Sequence, residues 1–118
     1  VQQLNLRLKG LEQAFGILEG LGIGVVTFTD GDLTPSVANV RMGITANTGA
    51  TSISTFNDGV IGQTVILRFN DANTTLTHGA TLQLIGNANF TGASGDMKTF
   101  TTDDGTNWYE VPQPNIYG

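Results

Sequence analysis

Cysteine is missing from this chain, and charge is scarce: Asp, Glu, Lys and Arg together make up 13% of the residues. Without cysteine there are no disulfides and no thiolate metal sites, although that absence does not fix a compartment. The five basic residues, Arg7, Lys9, Arg41, Arg68 and Lys98, are scattered, and the net charge is −5. A surface that neutralises phosphates needs clustered Lys and Arg. The composition therefore argues against a nucleic-acid partner and against docking on an anionic membrane. No apolar run reaches the roughly 18 residues that a membrane-spanning helix needs, so no membrane insertion is expected. Aromatics are 8% and histidine occurs once, at His78. The sequence starts at Val1 with no signal-peptide pattern, as expected of a piece of a longer protein or of a processed product.

Glycine is plentiful, at 16 residues in 118, and Thr and Asn recur throughout. The length suits one domain. Low charge with high glycine points away from a helical enzyme and towards a β-rich body with many turns, its Thr residues forming solvent-facing ladders.

Residues 1–22, "VQQLNLRLKGLEQAFGILEGLG", differ from the rest. Val1, Leu8 and Phe15 fall at a positions of a heptad, and Leu4, Leu11 and Leu18 at d positions. Gly10, Gly16 and Gly20 each weaken a helix by about 1 kcal/mol relative to Ala. Two arrangements fit: an amphipathic helix folded back on the body, or a short coiled-coil stem. Bulky Phe15 at an a position suits a seam wider than a dimer's, so the expectation is a three-stranded stem over 1–22, followed by a β body over 23–118.

"GLGIG" ends the helix, and Pro35 keeps "LTPS" extended. Strands are expected at 25–29, 38–46, 51–56, 63–69, 74–77, 81–85, 97–102 and 107–111, separated by turns such as "NTGA", "NDAN", "HGA" and "DDGTN". Asp-Gly pairs at 30–31, 58–59 and 104–105 signal tight turns. No textual repeat of 20 to 50 residues is present. The strands offer single apolar layers, as in "GQTVILRFNDANTTLTHGATLQLIG" at 62–86, and are expected to bury little within one chain. Stacked against copies of themselves around an axis they would bury a continuous narrow core.

"TPSV", "NTGAT", "FNDGVIGQ", "DANTTL", "NFTGASGD" and "DGTNWYEV", in this order over residues 33–111, resemble a domain found near the C-termini of tailed-phage tail fibre, tail spike and needle proteins and of prophage β-helix proteins. The resemblance implies a homotrimeric β-structured fibre segment, often preceded by a helical stem, located in the virion. It implies no catalytic activity. "MKTFTTDDG" departs from the pattern, with Lys98 and extra polar residues where a more apolar strand is expected, and "VPQPNIYG" follows the motif as a tail to which no role is assigned.

Four late carboxylates, Asp96, Asp103, Asp104 and Glu110, are the material for an enzymatic alternative. Glycoside hydrolysis needs two carboxyls roughly 5–9.5 Å apart, one with a raised pKa. Against this, Asp96, Asp103 and Asp104 sit in turn sequences, as do Asp30 and Asp32, where Asp bonds its own backbone. His78 stands alone; only on a three-fold axis would it become a three-imidazole site for a metal or an anion. In "NWYEV", Trp108 and Tyr109 face opposite sides of a strand. One is expected in the core and the other exposed, where an aromatic among Asn, Thr and Asp can stack on a sugar ring. Packing between chains is the other use for the pair. "NTT" at 73–75 and "NFT" at 89–91 match glycosylation sequons, but read better as Asn turns entering Thr ladders. No phosphate loop or Ser-His-Asp order is present, and no cofactor is expected.

The sequence thus predicts a mainly β chain with a short N-terminal α-helix: a homotrimeric fibre segment with a coiled-coil stem and a β-helix- or β-prism-like body. Its expected partners are itself, other virion proteins, and a host cell-surface glycan or protein. Its expected work is trimerisation, rigidity and host contact without catalysis. A carbohydrate-binding module and a tailspike glycosidase fragment are the alternatives.

Overall fold

The computed structural model describes residues 24–112. The stem residues Val1, Leu4, Leu8, Leu11, Phe15 and Leu18, and the tail beyond Pro112, lie outside them. The described residues form nine strands and no helix: β1 (Gly24–Thr27), β2 (Val40–Ile44), β3 (Thr51–Ile53), β4 (Thr64–Arg68), β5 (Thr74–Leu76), β6 (Leu82–Gln83), β7 (Phe90–Thr91), β8 (Met97–Thr102) and β9 (Trp108–Val111). The chain is mainly β, as expected. Each expected strand meets an observed one; β7 is additional. Two residues long and followed by "GASGD", β7 has too little apolar pattern to separate it from a turn.

Six strands pair in the order β1-β2-β4-β8-β9-β6, and three in the order β3-β5-β7. β1, β2 and β4 run parallel, as do β3 and β5. Met42 lies against Ile66, a step of 24 residues, and Thr51 against Thr74, a step of 23. The chain therefore winds. β2 and β3 form one circuit, and β4 and β5 lie on it in register. Further backbone bonds continue the stacking past the strands: Phe28 N–H to Ile44 C=O at 2.8 Å, Thr45 N–H to Arg68 C=O at 3.0 Å and Thr51 N–H to Asn73 C=O at 2.9 Å. The winding then stops. β7 adds antiparallel to β5, β8 antiparallel to β4, and β9 antiparallel to β8. These strands occupy edges that a parallel stack would otherwise leave open.

One chain closes its own core, contrary to the expectation from the sequence. The inward residues of both sheets meet in one cluster that includes Val40, Ile53, Val65, Leu67, Leu76, Leu82, Phe100 and Trp108. Much of the missing volume comes from aromatics just past strand ends, Phe28, Phe56 and Phe69, all buried. Phe56 meets Phe100 and Trp108 edge to face, each at 5.5 Å between ring centres, a favoured aromatic geometry. Gly43 makes room for the Phe28 ring; a Cβ there would lie 2.1 Å from it. The stretch 62–86 accordingly packs within its own chain. Val65, Leu67, Phe69, Leu76 and Leu82 are fully enclosed there.

Candidate functional site

Trp108 and Tyr109 leave β9 on opposite sides, as strand geometry requires. Trp108 is fully buried, and its Nε1–H donates to the Phe56 carbonyl at 3.2 Å. It is a core residue and presents no surface to a glycan, which corrects its candidacy as a sugar contact. Tyr109 is the exposed member, paired across the sheet with Thr101 on one side and Gln83 on the other. Both cross-strand partners are polar and uncharged, which suits an aromatic platform for a sugar.

Asp96 stands apart from the adjacent pair Asp103 and Asp104. Asp96 precedes β8 and Asp103 follows it, so the strand holds them roughly 20 Å apart along its length. Asp96, Asp104 and Glu110 each have partners. Asp96 Oδ2 accepts the Ala93 N–H at 2.9 Å. Glu110 accepts the Ile85 N–H at 3.1 Å and pairs with Lys98 at 3.0 Å. Lys98 in turn lies over the Phe90 ring, 4.1 Å from its centre, a cation–π contact. This accounts for a lysine in a strand expected to be more apolar.

Asp104 accepts from Thr106 N–H and Asn107 N–H, both at 2.8 Å, from the Asn107 side-chain amide at 2.7 Å and from the Thr102 hydroxyl at 3.2 Å. Led by the Asn107 backbone bond, these hold its carboxyl down to about 2. Hydrogen bonds to the charged form favour ionisation. That is opposite to what a general acid needs.

His78 is half-buried. Its backbone N–H donates to Asn89 Oδ1 at 2.9 Å, and its Nδ1 accepts the Leu84 N–H at 3.0 Å. With Nδ1 as acceptor the neutral ring carries its proton on Nε2. A metal on Nε2 would need the opposite tautomer, so this geometry does not fit the metal reading. Among the described residues no three His, Asp or Glu groups lie placed to hold a metal.

The sequon asparagines serve the fold. Asn73 donates its side-chain amide to the Asn47 carbonyl at 2.8 Å, and Asn89 caps His78. The Thr75 and Thr91 hydroxyls meet at 2.9 Å across β5 and β7, a Thr ladder of the expected kind.

Sequence reasoning missed the turn "VIGQ" at 60–63. Gly59, Val60, Ile61, Gly62, Gln63 and Asp104 line a shallow, open concavity of about 670 Å³. Gln63 is buried beneath it and donates its Nε2 to the Val37 carbonyl at 2.8 Å and the Val40 carbonyl at 2.9 Å. Asp58 takes a positive φ, at 65°, while Gly59 does not. Gly59 is needed for closeness instead: a Cβ would come 2.5 Å from Trp108 Cζ2 and 2.7 Å from the Gly105 carbonyl. The available signal was a pair of branched aliphatics between two glycines, where a loop tip ordinarily carries polar residues.

No protein-family model matches the chain, and neither does any curated protein or any solved structure.

Proposed function

We propose that this chain is a non-enzymatic structural segment of a phage virion, a homotrimeric piece of a tail fibre, spike or needle. In this reading residues 1–22 form a three-stranded coiled-coil stem and the body is β-helix-like. The observation that carries it is the parallel winding, with steps of 24 and 23 residues between stacked strands. Successive circuits in register make a stiff rod-like unit. Such a unit, joined to a heptad segment and carrying the fibre-like motifs, suits mechanical work and presentation of a surface to the host. Its partners would be two further copies of itself, other virion proteins, and a host cell-surface glycan or protein.

Tyr109 favours a second reading, a carbohydrate-binding module, which is compatible with a fibre. The tailspike glycosidase alternative draws less support, because Asp104 is held ionised within its own turn and Asp96 stands far from it along β8. Sedimentation equilibrium on the full chain tests the main reading. The expected mass is three times the single-chain 12.4 kDa. A folded species at 12.4 kDa removes the trimer. Binding on a bacterial glycan array without product release supports the host-contact role, whereas hydrolysis of a bound polysaccharide overturns the non-enzyme assignment.

A further inference from the structure

At one end of the six-stranded sheet the turn 60–63 holds two aliphatic side chains out of the protein. Val60 is 40% and Ile61 79% exposed. The turn is fixed at several points. The Val60 carbonyl accepts the Gln63 N–H at 3.0 Å, and the Val60 N–H donates to Gln63 Oε1 at 3.1 Å. The Gly62 N–H donates to the Thr102 carbonyl at 3.0 Å. Gly62 has φ of 82°, as the third residue of a type II turn requires. Gln63 anchors the whole to the start of β2. An apolar tip already held in place loses little conformational freedom on docking, which is the main advantage of a preformed contact.

The position of this tip identifies its occupant. β1, β2 and β4 are parallel, so Gly24 and Thr64 begin their strands at the same end of the sheet. β4 is the second neighbour of β1, about 10 Å away at ordinary strand spacing. Gly24, to which the heptad-bearing segment is joined in sequence, therefore begins its strand at the same end of the sheet as the turn 60–63. Val25, 64% exposed, adds to the apolar surface at this end. The single carboxylate lining the concavity, Asp104, is engaged by its own loop.

We propose that the Val60–Ile61 turn is a contact between copies of this chain at the junction of stem and body, with the Ile61 side chains of neighbouring copies packed together about the symmetry axis. The inference rests on the homotrimer reading. Heptads that bring the copies together just before Gly24 also bring this tip to the axis, which favours a second copy over a host molecule.

Because the native chain has no cysteine, single-cysteine variants report cleanly. With a short bis-maleimide, Ile61→Cys is expected to give covalent dimers within the assembly. Met97→Cys, at the opposite end of β8 and 45% exposed, is expected to give none. Ile61→Asp should weaken association at least tenfold by sedimentation equilibrium, with an unchanged far-UV circular dichroism spectrum. A wild-type chain found at single-chain mass overturns the trimer reading itself. A wild-type trimer whose Ile61→Cys variant does not cross-link overturns this inference alone, whatever Ile61→Asp does. Intact assembly of Ile61→Asp with loss of glycan-array binding also overturns it, assigning the tip to the host.

Discussion

In the parallel winding, the corner between β2 and β3 lies over the corner between β4 and β5, and polar side chains tie one to the other. Asp71 accepts the Asn47 N–H at 2.9 Å and the Thr74 hydroxyl at 2.8 Å, while Asn47 donates its amide to Thr74 Oγ1 at 2.7 Å. Asp30, one circuit earlier, accepts both the N–H and the hydroxyl of Thr48. In the antiparallel hairpin β8–β9 the turn is self-contained. Asp104 satisfies its own loop, and the strands are held by Phe100 and Trp108 against Phe56. The difference follows from topology. Stacked corners place unpaired backbone groups of one circuit against the next, and those groups need partners. A hairpin turn folds back on itself and makes no such demand.

The largest effect is expected in the hairpin half. Trp108→Ala removes a fully enclosed indole, its edge-to-face contact with Phe56 and one hydrogen bond, and should destabilise the chain by about 3–5 kcal/mol in urea denaturation. A loss below about 1 kcal/mol would mean that the core is not organised around this residue. In the winding, Asp71→Ala removes the acceptor of the Asn47 and Asn73 N–H groups and of the Thr45 and Thr74 hydroxyls, and should cost about 1–3 kcal/mol. Its damage should cross circuits, speeding amide exchange at both Asn47 and Asn73. Asp104→Ala, by contrast, should speed exchange only within 104–107. Exchange spreading equally from both variants would erase the contrast between corner and turn.

Acid should weaken both regions. The carboxyls of Asp30, Asp71 and Asp104 are all lowered in the folded chain from the ordinary 3.8. For Asp30 the Thr48 backbone bond is the main cause. For Asp71 burial pushes upward and is outweighed by bonds from the Thr45 and Thr74 hydroxyls and the Asn47 and Asn73 backbone. A group depressed on folding contributes stability above its unfolded value and loses that contribution as pH falls through its folded value. For Asp104 the window runs from 3.8 down to about 2. Urea midpoints should therefore fall between pH 4 and pH 2, and Asp104→Asn should make that fall shallower.

Strand positions were legible because turn chemistry punctuates them: "NDAN" and "DDGTN" stop strands where Asp71 and Asp104 do bond their own loops. The winding was not legible. The stacked segments "ANTGATSI" and "NDANTTL" share Asn, Thr and one inward aliphatic, Ile53 over Leu76, but differ by one residue in length, so no fixed period shows. The core was underestimated because Phe28, Phe56 and Phe69 sit at corners, where alternation says nothing about direction. Of the site residues, the sequence placed Trp108 and Tyr109 on opposite faces but carried no sign of which faced inward. That depended on Phe56, 52 residues earlier in the chain.

The smallest structural effect, and the sharpest functional one, should come at Tyr109. Its side chain lies on the outward face of β9, and the residue is 36% exposed. Its neighbours across the sheet are Thr101 and Gln83. Truncating it opens no enclosed cavity, so Tyr109→Ala should change stability by no more than about 0.5 kcal/mol, beside the several kcal/mol at the adjacent Trp108. If the ring is a platform for a host sugar, the same variant should lose binding on a bacterial glycan array. Tyr109→Phe should keep most of that binding, because stacking uses the ring face and not the hydroxyl. Loss in both variants would assign recognition to a hydrogen bond from the hydroxyl. Undiminished binding by Tyr109→Ala would remove this face from host contact and leave the outward side of β9 to packing between chains.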